Sequence, residues 1–108
     1  MTLELLYLNG CPNHEKTVDL LHSVLVAEGM SAEVRQILIR NQVDASTHAF
    51  PGSPTVRVNG RDIENVLSHR FVGFACRTYL VEGKMQGVPP RSLVESAIRA
   101  ARNQEENG

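Results

Sequence analysis

A chain of 108 residues with 42% hydrophobic and 21% charged side chains has the size and composition of one globular domain around a single core. A net charge of -1, with the 11 basic residues scattered and not massed in a stripe, gives no electrostatic reason to expect nucleic acid or an anionic membrane as partner. No apolar run approaches the roughly 20 residues of a membrane span. Met1-Thr2-Leu3-Glu4 also lacks the basic and apolar regions of a signal peptide, so the expectation is a cytoplasmic protein.

Leu3-Glu4-Leu5-Leu6-Tyr7-Leu8 is nearly continuous apolar sequence, which predicts a central strand covered on both faces. Asn9-Gly10-Cys11-Pro12-Asn13-His14 then reads as a tight turn into a helix over residues 13–28, where Val18, Leu21, Val24 and Leu25 recur at helical spacing and Gly29 supplies the stop. Residues 31–39 are rich in β-branched side chains and predict a second strand, completing a right-handed βαβ unit with parallel strands. Asn41 is a good N-cap for a short helix to about Ala49, with Val43, Ser46 and Phe50 on one side, ended by Pro51-Gly52. Thr55-Val56-Arg57-Val58 reads as a third strand and Asn59-Gly60 as a turn; the isomer of the Ser53-Pro54 bond is open at this level.

Residues 61–73, with Ile63, Val66, Leu67, Phe71 and Val72, show no clean period and read as an excursion with at most a helical turn. Alternation over 74–81 predicts a fourth strand with Phe74, Cys76, Thr78 and Leu80 on one face, and Ala75, Arg77, Tyr79 and Val81 on the other. Residues 82–87 read as a loop. Pro89-Pro90 opens a last helix with Leu93, Val94, Ala97, Ile98 and Ala101 as its stripe, running to about Arg102 before a polar, frayed tail over 103–108. The order is βαβαββα, an α/β domain over residues 1–102 with a mixed four-stranded sheet and helices on both faces.

Cys11 at the mouth of a helix is a candidate thiolate, because unpaired N–H groups and the helix dipole favour negative charge there. The bland alternative is a small residue filling a tight turn. His14, one helical turn on, would stabilise the thiolate as a cation or accept the thiol proton as a base, or else is an exposed first-turn residue. Cys76 on an apolar strand face is expected to be buried and inert, and far from the helix mouth; its sharper reading is a distant resolving partner of Cys11, which requires Cα atoms within about 7 Å. Arg77 is expected at an edge or rim beside Tyr79. His22, His48 and His69 read as solvated or packing residues. The two cysteines fit no zinc pattern, and no metal ligands or cofactor are expected.

The element order, the Cys11-Pro12-Asn13-His14 turn and Ser53-Pro54-Thr55 before the third strand together resemble the thioredoxin-like and glutaredoxin-like proteins over nearly the whole chain to about Arg102. That resemblance implies a thioredoxin-like fold, a cis-proline at Pro54 facing Cys11, and Pro12, Ser53, Pro54 and Thr55 as a substrate-binding wall. His14 occupies the position of the usual resolving cysteine, and no Gly-Gly-x-x-Asp glutathione segment follows the predicted fourth strand; a monothiol centre at Cys11 with His14 as modulator is therefore implied. Gly-Ser-Pro-Thr with the later Phe-Ala-Cys-Arg-Thr-Tyr also resembles small bacterial proteins that often carry an alkylmercury lyase label, although organomercurial cleavage calls for more thiols than this chain has. The leading expectation is thiol-disulfide chemistry on a protein or low-molecular-weight thiol or disulfide. The alternatives are a non-catalytic module binding a peptide or another subunit, including a second copy as a homodimer, and a thiolate binder of soft metals such as mercury or copper(I).

Overall fold

The computed structural model describes residues 1–64, 73 and 75–107. The first strand, β1 (Leu3–Leu8), runs parallel to β2 (Val34–Ile39) on one side and antiparallel to β3 (Thr55–Val58) on the other, and β3 pairs antiparallel with β4 (Arg61–Asp62). The result is a mixed four-stranded sheet in the order β2-β1-β3-β4. Between these strands lie α1 (His14–Ala27) and α2 (Gln42–Thr47), and the chain ends in α3 (Arg91–Asn107).

The all-apolar β1 is central because both of its faces are covered. Successive side chains of a strand point to opposite faces. Leu3 and Leu5 enter a core with Leu21, Val24 and Leu25 of α1 and Val94, Ile98 and Ala101 of α3, whereas Leu6 enters a second core with Ile39, Ala45 and Phe50 around α2. Helices therefore cover both faces, α1 with α3 on one and α2 on the other. Ion pairs fasten α1 to α3: Arg99 and Arg102 both reach Glu28, at 2.9 and 3.1 Å. Asn41 caps α2, its side chain accepting from Asp44 N–H at 2.9 Å. Val43 and Ser46, expected on one side with Phe50, are exposed while Phe50 is buried, and Ala45 is the residue of α2 that faces the core.

The second half of the chain departs most from expectation. The fourth strand is the two-residue β4, joined to β3 through the Asn59-Gly60 turn, where both residues have positive φ. The alternating stretch expected to fill that place yields only β5 (Tyr79–Val81), which forms a separate two-stranded hairpin with β6 (Lys84–Gln86), so residues 82–87 are not a plain loop. Glu82-Gly83 makes its turn with positive φ at both positions, a conformation that pairs strands of natural twist. The last helix continues past Arg102 to Asn107: Gln and Glu sustain a helix without an apolar stripe, and Glu105 accepts an ion pair from the Met1 amino group at 2.7 Å. The expected Phe74 strand start, the helical turn and apolar residues Val66, Leu67, Phe71 and Val72, and His69 lie outside the described residues. Among the described residues no helix is long and apolar enough to cross a membrane.

Candidate functional site

The cysteine turn is built by local hydrogen bonding. Cys11 N–H donates to Leu8 O at 3.1 Å, closing a β-turn in which Gly10 takes φ of 78°, a value that glycine adopts without steric cost. His14 N–H then donates to Cys11 O at 3.3 Å, a second turn over residues 11–14 that leads into α1, whose N-cap is Asn13. Asn13 makes no side-chain cap bond; its carbonyl instead accepts from Thr17 N–H at 3.1 Å and from the buried Thr17 hydroxyl at 2.7 Å.

Cys11 is half-buried. With Tyr7, Asn9, Gly10, Pro12, His14 and Glu15 it lines a depression of about 420 Å³ at the end of β1. His14 does not swing freely there. Its ring stacks on Tyr7 with centroids 3.7 Å apart and planes 4° from parallel, and its Nε2 lies 2.6 Å from Gln36 Oε1 on β2. Because an amide oxygen can only accept, this contact is a hydrogen bond in the tautomer that carries its proton on Nε2. Tyr7 and Gln36 escaped sequence reasoning; the signal was their place on adjacent strands, Tyr7 opposite Leu38 and Gln36 opposite Leu5, which puts both side chains on the face that α1 covers.

Ser53, Pro54 and Thr55 stand beside this turn without lining the depression. The β1–β3 register, with Leu6 opposite Thr55, extends to Leu8 opposite Ser53, and Leu8 N–H donates to Ser53 Oγ at 3.0 Å. The Ser53-Pro54 peptide is cis. All three residues are buried, and their polar groups are engaged within the chain. Ser53 N–H donates to Ala75 O at 2.9 Å and Ser53 O accepts from Arg77 N–H at 2.8 Å, forming a parallel bridge with Cys76; the Tyr79 hydroxyl donates to Pro54 O at 2.6 Å. Thr55 donates to Gly52 O at 2.6 Å and accepts from Arg77 at 3.1 Å.

Two expectations are corrected here. Cys76 is exposed, because the chain around it makes a single bridge to Ser53 and not an apolar-faced strand. Arg77 is buried, not at a rim: its guanidinium meets Asp62 through two bonds of 2.6 and 2.9 Å and Glu64 at 3.1 Å, and lies 4.5 Å from the Tyr79 ring centre. Burial, the largest single influence, acts against the Arg77 cation, but the hydrogen bonds to Asp62 and Glu64 and the charges of Tyr79 and Asp62 together outweigh it and hold its pKa above the ordinary value. Burial pushes the Tyr79 phenol up as well, the nearby Arg77 charge offsetting only part of this.

Among the described residues no three His, Cys, Asp or Glu side chains gather where they could hold a metal ion. Comparison with protein-family models, with curated proteins and with solved structures finds no match to this chain.

Proposed function

We propose that this chain is a monothiol thioredoxin-like protein in which Cys11 exchanges with the disulfide of a protein or of a low-molecular-weight thiol. The observation that carries the reading is the half-buried cysteine in the turn between the central strand and α1, just after Leu8, whose N–H donates to Ser53 Oγ beside the cis peptide. The sheet order and the helices on both faces fit the same family of folds. In the reaction, Cys11 Sγ attacks one sulfur of R–S–S–R′, a Cys11–S–S–R bond forms, and R′S⁻ leaves with the electron pair and takes up a proton. The base at the depression is His14 Nδ1, with Gln36 fixing the tautomer and Tyr7 the ring plane.

The test is the rate of mixed-disulfide formation with cystamine, followed by intact mass in the native chain, in the urea-unfolded chain and in Cys11→Ser. Cys11 is expected to react at least tenfold faster in the native chain than in the unfolded one, and His14→Ala to lose most of that advantage. A native rate equal to the unfolded rate rejects exchange chemistry. It would favour a subunit-binding module, for which the observation in hand is the β5–β6 hairpin with Leu80 and Met85 paired across it, 64% and 60% exposed.

A further inference from the structure

Ser53 holds the two cysteines on either side of itself. Toward β1 it is tied to Leu8, whose carbonyl accepts from Cys11 N–H; away from β1 its backbone brackets Cys76, with one bond to the residue before and one to the residue after. Leu8, Ser53 and Cys76 thus form a row across three adjacent backbones. The Ser53–Cys76 bridge spans one strand spacing of about 4.8 Å, Ser53 Oγ lies 3.0 Å from Leu8 N, and the β-turn keeps the Cys11 Cα within about 7 Å of Leu8. The turn also leans toward the Cys76 side: Asn13 packs against Gly87, in the stretch that continues from Cys76 through the hairpin. Both thiols are open to solvent, Cys11 partly and Cys76 more fully.

The anchoring of the two segments is unequal. Residues 75–77 are stitched down by Ser53 and by the Arg77 contacts to Asp62, Glu64 and Thr55. Among the described residues the 9–12 turn is held by two local backbone bonds, Cys11 N–H to Leu8 O and His14 N–H to Cys11 O. A disulfide needs Cα atoms about 4.4–6.8 Å apart, so closing the bond calls for the 9–12 turn to come up against Cys76 beside Ser53.

We propose that Cys76 is the resolving thiol for Cys11, an inference that rests on the exchange reading above. Once exchange with R–S–S–R′ has given Cys11–S–S–R and released R′S⁻, Cys76 as thiolate attacks Cys11 Sγ. The Cys11–Cys76 bond forms, the Cys11–S–R bond breaks, and RS⁻ departs and is protonated. The net reaction oxidises the two thiols of the chain and reduces one external disulfide to two thiols.

The experiment mixes reduced protein with cystamine and follows intact mass and disulfide-mapped peptides in the wild type, Cys76→Ser and Cys76→Ala. In the wild type the cysteamine adduct on Cys11 is expected to be transient and to give way to an intramolecular Cys11–Cys76 bond at a rate independent of protein concentration. In both Cys76 variants the adduct should persist at least tenfold longer. An adduct equally long-lived in wild type and variants overturns the resolving role while leaving exchange at Cys11 standing, as does a disulfide that joins two chains through Cys76. Absence of any Cys11 adduct in all three proteins overturns the exchange reading and this inference with it.

Discussion

The two cysteines sit in neighbourhoods built in opposite ways. Around Cys11 the groups are local and few: a glycine turn, a second turn closed on the Cys11 carbonyl, and an imidazole held flat on Tyr7 by one bond to Gln36. Around Cys76 the flanking residue Arg77 is buried and bound to Asp62, Glu64, Thr55 and the face of Tyr79, all from other parts of the chain. The first arrangement leaves the Cys11 sulfur half-buried at the wall of the depression. The second fixes a backbone in space and leaves only the cysteine side chain outside. A turn held by neighbouring residues beside a segment held from across the chain is the difference this fold creates.

That contrast can be broken most severely at its anchor. Arg77→Ala leaves the Asp62 carboxylate, 3% exposed, without its cation, and removing one partner of a buried pair costs about 3 to 5 kcal/mol; urea unfolding should show a loss of that size. Gly52→Ala comes next. Its backbone has φ of 132°, and an added Cβ would lie 2.8 Å from Arg77 Cβ and 3.1 Å from Arg77 N, so a destabilisation of about 1–3 kcal/mol is expected. The same substitution should slow closure of any Cys11–Cys76 bond, as disulfide mapping against time would show.

A smaller effect separates both neighbourhoods from the helix pair beneath them. The Glu28 carboxyl is held below its ordinary value of 4.5, first by its hydrogen bond to Arg99, with burial opposing and the charges of Arg99 and Arg102 adding to the effect. A depressed acid contributes stability that is whole above 4.5 and is lost as pH falls through the lowered value. Thermal melting between pH 7 and pH 3 should therefore fall less steeply at the acid end in Glu28→Gln than in the wild type. Cys76→Ser sharpens the comparison from the other side: at an exposed position it should change unfolding free energy by no more than about 0.5 kcal/mol, in contrast to its neighbour Arg77.

What was legible in the sequence follows the same division. The β1 run, the cysteine turn, α1 and the Asn59-Gly60 hairpin are written in adjacent residues, and each appears where its local pattern places it. The Cys76 region is written in separations. Arg77 meets Asp62 and Glu64 across 15 and 13 positions of chain, and nothing beside it signals that an arginine is buried. The period-2 pattern over 74–81 suggested a long strand, yet its paired portion is three residues, with a Glu82-Gly83 turn whose first member is not a residue usually associated with positive φ. The polar β4, two residues long, is too short to have any period. His14 was singled out, but the contact that orients it comes from Gln36, 22 positions away.

The packing of Asn13 on Gly87 ties the allowable volume at one position to the geometry of another. A methyl group at position 87 would run into the Asn13 amide, and the Asn13 carbonyl supports Thr17 inside the first turn of α1. Position 87 therefore works as a gauge on the helix start. The obstacle is the far end of the Asn13 side chain, which makes no capping bond, so Gly87→Ala is answered by a turn of the Asn13 amide at the helix start, more than seventy residues away along the chain.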